Sequence, residues 1–94
     1  MIRFSVFYPA TEGSHFDHDY YRDSHVPLCV KTWGVERYEI DKGVNGPFTA
    51  AVHFFFDSLD AMNSALAVDG TAAVQADVAN YTDITPQRQV AEVV

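Results

Sequence analysis

Residues 16–28 read Phe-Asp-His-Asp-Tyr-Tyr-Arg-Asp-Ser-His-Val-Pro-Leu, and this run holds most of the side chains able to do chemistry. Phenols hold an oxygen by hydrogen bonding, and imidazoles move protons near neutral pH. Asp17 suits a helix N-cap, and Asp19 adds negative charge at the positive end of the helix dipole. In a helix starting there, Tyr21 and His25 fall one above the other, as do Tyr20 and Ser24. Pro27 removes an intrahelical donor and restricts Val26, which predicts a break or kink just after His25. At such a break His25 either keeps a ring nitrogen free for acid/base work or caps the carbonyls left open there.

A second imidazole, His53, lies in an apolar run. It is a partner for His25 as general acid and base, or else a core histidine bonded by a neighbouring strand or a second copy of the chain. Tyr20, Tyr21, Asn80 and Tyr81 are placed to hold a carbonyl or phenolic oxygen, although one of the tyrosine pair can equally serve packing. Trp33, Phe54, Phe55 and Phe56 offer apolar walls. The pocket these residues imply takes a small, largely apolar or aromatic molecule carrying one or two oxygens.

Other chemistries find less support. His15-x-x-His18 with Asp17 and Asp19 supplies ligand types, but no second cluster completes four ligands, so no metal is expected. Cys29, the single cysteine, excludes an intrachain disulfide and reads as a small buried hydrophobe. No base stands at an obvious helical spacing from it and Lys31 does not face it, so a nucleophilic role is not indicated. Without a glycine-rich phosphate loop, no nucleotide cofactor is expected.

These groups need elements to position them. Ninety-four residues form one domain, 1–94, small enough to favour pairing with a copy of itself. The hydrophobic share of 48% supplies a core, while a formal charge of −7, with six scattered Lys and Arg residues, argues against nucleic acid. No signal peptide or membrane-length apolar run is visible, which sets a cytoplasmic location and no membrane partner as the expectation.

Residues 2–8 alternate as a strand with Ile2, Phe4, Val6 and Tyr8 on one face, and Pro9 ends it. The helix at 17 follows, with Leu28 and Trp33 continuing its second piece until Gly34 supplies a left-handed stop. Residues 35–41 suit a half-exposed strand, 42–47 a chain reversal, and 48–56 a central strand covered on both faces. Asp57 or Ser58 caps a second helix bearing Leu59, Met62, Ala65 and Leu66 as its apolar stripe. Asp69-Gly70 interrupts it, a short helix follows to about Asp77, and residues 87–94 make a fourth strand. The order β-α-β-β-α-β predicts an α+β, ferredoxin-like fold: a four-stranded antiparallel sheet with helices on one face. Apolar residues on both faces of that sheet lead to a further expectation, a homodimer whose sheets meet face to face as a closed, dimeric α+β barrel.

Three features carry a resemblance. They are Phe16-Asp17-x-Asp19-Tyr20-Tyr21-x-x-x-His25-x-Pro27, the step Phe56-Asp57-Ser58, and Asp77-x-x-Asn80-Tyr81-Thr82 followed by Pro86, Gln89 and Glu92-Val93-Val94. In that order they resemble the EthD-type family, named for ethyl tert-butyl ether degradation and placed in the dimeric α+β barrel superfamily. Two departures stand out: a short connector at 43–47, and Ala79 where many members carry proline. The resemblance implies the fold, the homodimer and a pocket between helices and sheet. Metal-free monooxygenases, lactone isomerases, polyketide cyclases and haem-degrading enzymes occur in the wider superfamily, so the fold alone does not choose a reaction.

Two functions are therefore expected as alternatives. One is a small enzyme without metal or organic cofactor, an isomerase, cyclase or monooxygenase-like catalyst of secondary or xenobiotic metabolism. It would move protons between His25, His53 and an oxygenated, largely apolar or aromatic substrate. The other is a non-catalytic accessory or small-molecule-binding protein supporting an ether- or aromatic-degrading oxygenase pathway.

Overall fold

The computed structural model describes residues 1–94. Strand β1 (Ile2–Pro9) is followed by α1 (His18–Tyr20), a π-helical turn (Tyr21–His25) and α2 (Val26–Trp33), which run on as one helix. Strands β2 (Arg37–Lys42) and β3 (Phe48–Phe56) come next, then α3 (Leu59–Leu66), α4 (Thr71–Asp77), a 3-10 turn (Val78–Asn80) and β4 (Gln87–Glu92). The sheet is antiparallel throughout, in the order β2-β3-β1-β4.

Period-two alternation decides which side chains meet the helices. On one face Phe4 and Tyr8 of β1 stand beside Phe54, Val52 and Ala50 of β3. They form the core with Tyr21, Val26, Cys29, Met62, Val74 and Tyr81 from the helical layer. The opposite face presents Arg3, Ser5 and Phe7 beside Phe55, His53 and Ala51.

The expected closed barrel is not what the chain forms. Its four strands make an open sheet, with β2 and β4 as unpaired edges. Four strands are too few to close on themselves, since about eight are needed for a barrel with a filled interior. The face away from the helices is also less apolar than its aromatic residues suggested: Ser5 donates to or accepts from His53 at 2.7 Å, and Asp41 joins the other ring nitrogen at 2.9 Å.

The helical layer follows its local signals. Asp17 accepts from the Tyr20 N–H, Ser58 from the Ala61 N–H, and Gly34 closes α2 at φ 66°. Pro27 acts differently from the expectation. The chain does not break after His25; the irregularity precedes the proline, as the widened turn in which the Val26 N–H donates back to the Tyr21 carbonyl. A widened turn relieves the clash between a proline ring and the carbonyl four residues earlier, so the helix continues through it.

Candidate active site beneath the helices

The π-helical turn places Tyr21 and His25 side by side. Their rings stack at 5.5 Å between centroids and 16° between planes, and both are buried. Opposite them the chain returns after α4, and two adjacent residues tie it to the start of the first helix. The Asp17 N–H donates to the Tyr81 carbonyl at 2.8 Å, and the Thr82 hydroxyl donates to the His15 carbonyl at 2.6 Å. This seam brings Asp77 and Tyr81 against His25 across more than fifty residues of sequence.

His25 Nδ1 lies 2.9 Å from Asp77 Oδ2 in a pair whose side chains are 5% and 15% exposed. The ionised carboxylate only accepts, so Nδ1 carries the hydrogen and Nε2 keeps its lone pair. Burial holds the imidazole below the ordinary histidine range, and Asp77 offsets that only in part. Burial also works against the Asp77 carboxylate, but hydrogen bonds from Asn80, His25 and Tyr20 outweigh it and keep the acid below its usual value. Tyr20 donates to Asp77 Oδ1 at 2.7 Å and the Asn80 amide at 2.9 Å. The result is a neutral imidazole, fixed in one tautomer by a carboxylate that is itself held from two sides.

His25 lines a cavity of about 270 Å3 between helices and sheet, bounded by sixteen mostly apolar residues. Phe4, Val52 and Phe54 form its floor; Trp33, Leu66 and Val74 are among its walls. The Trp33 indole N–H donates to Thr71 Oγ1 at 2.9 Å, which locks α2 to the start of α4. The Tyr8 and Tyr21 phenols also line the cavity, and Tyr81 stands behind them. The Tyr8 and Tyr81 hydroxyls are 2.6 Å apart, whereas the Tyr21 hydroxyl is buried with no protein partner. Burial pushes all three phenols up, so they remain protonated donors. Arg88, on the helix-facing side of β4, stands at the cavity in no ion pair.

Among the residues expected from sequence, His25, Tyr21, Trp33 and Phe54 line this cavity. Tyr81 packs on the His25 ring at 4.4 Å between centroids, behind it. Tyr20 and Asn80 hold Asp77 rather than facing the cavity, and Phe56 is in the core away from it. His53 is not brought to His25: it stands on the far face of the sheet, between Ser5 and Asp41. The single pocket joining both imidazoles is therefore absent within one chain, because residues 52 and 54 take the helix side of β3 and 53 the other. His15, His18, Asp17 and Asp19 do not converge, since no three His, Cys, Asp or Glu side chains come together as a metal site.

Sequence reasoning missed Asp77 as the partner of His25, and also Tyr8, Arg88 and Cys29. Cys29 had a legible signal. His25 stands one helical turn before it, and Sγ lies 3.6 Å from His25 Nε2, so the statement that no base lies at helical spacing is corrected. Burial pushes the thiol up to about 12.

No family model and no curated protein matches the chain. Solved structures do. An EthD-like protein from Ralstonia eutropha JMP134 shares 39% identity over 99% of this chain and 91% of its own, with a TM-score of 0.91. An ethyl tert-butyl ether degradation (EthD) family protein from Bacillus halodurans C-125 shares 18% identity over 100% and 99% of the two chains, TM-score 0.79. SnoaB, a cofactor-independent oxygenase from Streptomyces nogalater, shares the fold at 11% identity, 99% and 92% coverage and TM-score 0.75.

Proposed function

Because this chain belongs to the EthD-like family, we propose that it is a small enzyme that moves a proton on an oxygenated, largely apolar or aromatic molecule bound beneath its helices. The observation that carries this reading is that His25 lines an apolar cavity with Nδ1 held by Asp77, which leaves Nε2 as the acceptor. A neutral, oriented imidazole is a general base ready at neutral pH.

The roles follow from position. Nε2 of His25 takes a proton from a carbon beside a carbonyl, or from a phenol. Asp77 stabilises the imidazolium that forms, as a carboxylate does for a histidine base. Tyr21, whose hydroxyl lacks a protein partner, donates to the substrate oxygen on which negative charge develops. Arg88 at the mouth orients a ligand with an anionic end. His53 has no place in this proton transfer. The likeness to SnoaB, a cofactor-independent oxygenase, makes an oxygen-dependent reaction one form this chemistry can take.

We also propose that the chain works as a homodimer joined through the face of the sheet that carries no helices. Phe7 is half-buried there, and Arg3 Nε is buried without a protein partner on the same face.

Hydrogen–deuterium exchange at the methyl group of acetophenone, followed by NMR in deuterated buffer, tests the base. The protein is expected to accelerate exchange, and His25→Ala to remove roughly 100-fold or more of that acceleration while acetophenone still binds. Equal exchange in the variant removes His25 from the mechanism.

A further inference from the structure

The side chains around His25 are ordered as thiol, imidazole and carboxylate. Cys29 Sγ is 3.6 Å from Nε2, and Nδ1 is 2.9 Å from Asp77 Oδ2. Proton transfer between His25 and a bound molecule does not by itself need the sulfur, yet Cys29 lines the same cavity. A second, independent feature points to a ligand oxygen at this end: Tyr21, 1% exposed, lines the cavity, and its hydroxyl, beside that of Tyr8, completes no hydrogen bond within the protein.

We propose that Cys29 is a covalent attachment site for α,β-unsaturated carbonyl compounds, enones or quinones, with His25 carrying the proton and Tyr21 holding the carbonyl oxygen. The proposal rests on the reading of the cavity as a ligand site with His25 as base. The step balances without oxidant or reductant. As Sγ bonds to the β-carbon, the thiol proton passes to His25 Nε2. The electron pair of the carbon–carbon double bond moves onto the carbonyl oxygen, where the Tyr21 hydroxyl donates to the enolate. The proton then goes from Nε2 to the α-carbon. An S–H and a C=C bond are replaced by an S–C and a C–H bond. Reversal of the addition releases the alkene, and for an acyclic enone rotation about the saturated bond before release makes the cycle a cis–trans isomerisation.

Burial alone makes a thiol inert, and a base at hydrogen-bond distance changes that. The two cases differ in pH dependence. An unassisted thiol far below its pKa reacts about tenfold faster per pH unit. A thiol delivered to neutral His25 reacts at a rate that follows the imidazole, level above the ordinary histidine range.

The test uses 2-cyclohexenone as probe and saturated cyclohexanone as competitor, with intact-protein mass spectrometry on the native full chain, whose single cysteine makes the site unambiguous. One adduct is expected on the wild type and none on Cys29→Ala. Its rate should saturate with probe, fall with cyclohexanone, and stay level between about pH 7 and 8.5. His25→Gln should slow it by roughly 100-fold. A wild-type rate that climbs about tenfold per pH unit overturns the proposal whether or not the variant folds, as does an undiminished rate in a folded His25→Gln protein. Cyclohexanone binding at His25, seen by NMR, without any cyclohexenone adduct overturns the covalent step alone. Absence of both overturns the cavity reading as well.

Discussion

His25 is held neutral by burial, and that has a thermodynamic sign. A histidine whose folded pKa is depressed contributes stability that is fully present above its unfolded value, about 6.5. That contribution is lost as pH falls from there through the folded value. Asp77, also depressed, acts in the same direction at lower pH, below the ordinary carboxylate range. Urea unfolding between pH 7.5 and 5 should show stability falling toward acid in the wild type and a flatter profile in His25→Gln. Equal slopes would mean the imidazole titrates freely. Tyr21 gives a second prediction. A buried hydroxyl without a partner costs about 1 kcal/mol or more, so Tyr21→Phe should raise the stability of the unliganded protein by about that amount and weaken acetophenone binding. Lower stability in Tyr21→Phe would reveal a protein partner for the hydroxyl. Helical spacing put Tyr21 and His25 on one face of the first helix, whereas Asp77, Tyr8 and Arg88 carried no such signal. Their roles depend on the 81–17 seam and on β4 pairing with β1, contacts that no local pattern encodes.

Elements were most legible where a local rule met no competing tertiary demand. The continuous apolar run predicted β3 over the residues it occupies, Phe48–Phe56, and Ser58 and Gly34 act as the helix cap and stop expected of them. The first helix was read less well, because counting by four assumes an α-helical turn throughout. Pro27 announced an irregularity but not its location, and the chain accommodates the proline by widening the preceding turn over Tyr21–His25. That turn is what stacks Tyr21 on His25, so an ordinary turn rule at 27 bears on the site itself. The β2–β3 connector carries a further prediction. A Cβ at Gly43 would meet the Phe48 carbonyl oxygen, where the Gly43 N–H donates to the Thr49 carbonyl at 2.8 Å. Gly43→Ala should therefore cost about 2 kcal/mol or more, measured by chemical denaturation, whereas an unchanged midpoint would show that the connector rearranges freely.

The whole molecule was misread at one point, the step from a two-faced sheet to a closed barrel. Alternation correctly assigned two faces, but the far one mixes Phe7, Phe55 and Ala51 with Ser5, His53 and Asp41. Arg37 lies over the Phe55 ring at 4.1 Å, shielding part of its apolar surface. An open sheet with one helix-covered face still leaves Phe7 and the buried, unpartnered Arg3 Nε for a second copy. Sedimentation should give twice the chain mass, and Phe7→Glu should halve it without loss of fold; an unchanged mass in Phe7→Glu would place any interface elsewhere. At the same scale, Arg88 is the cation at a cavity in a chain of net charge −7. Arg88→Gln should weaken binding of 4-acetylbenzoate by about 1 kcal/mol or more, fivefold or greater, and leave acetophenone affinity unchanged, as read by NMR titration. The most direct measurement of all is a crystal structure of the protein soaked with acetophenone. The ketone is expected within the cavity, its oxygen accepting from the Tyr21 hydroxyl and its methyl group against His25 Nε2. Acetophenone bound elsewhere, with the space under the helices closed by repacked Trp33 and Phe54, would contradict the site at its foundation.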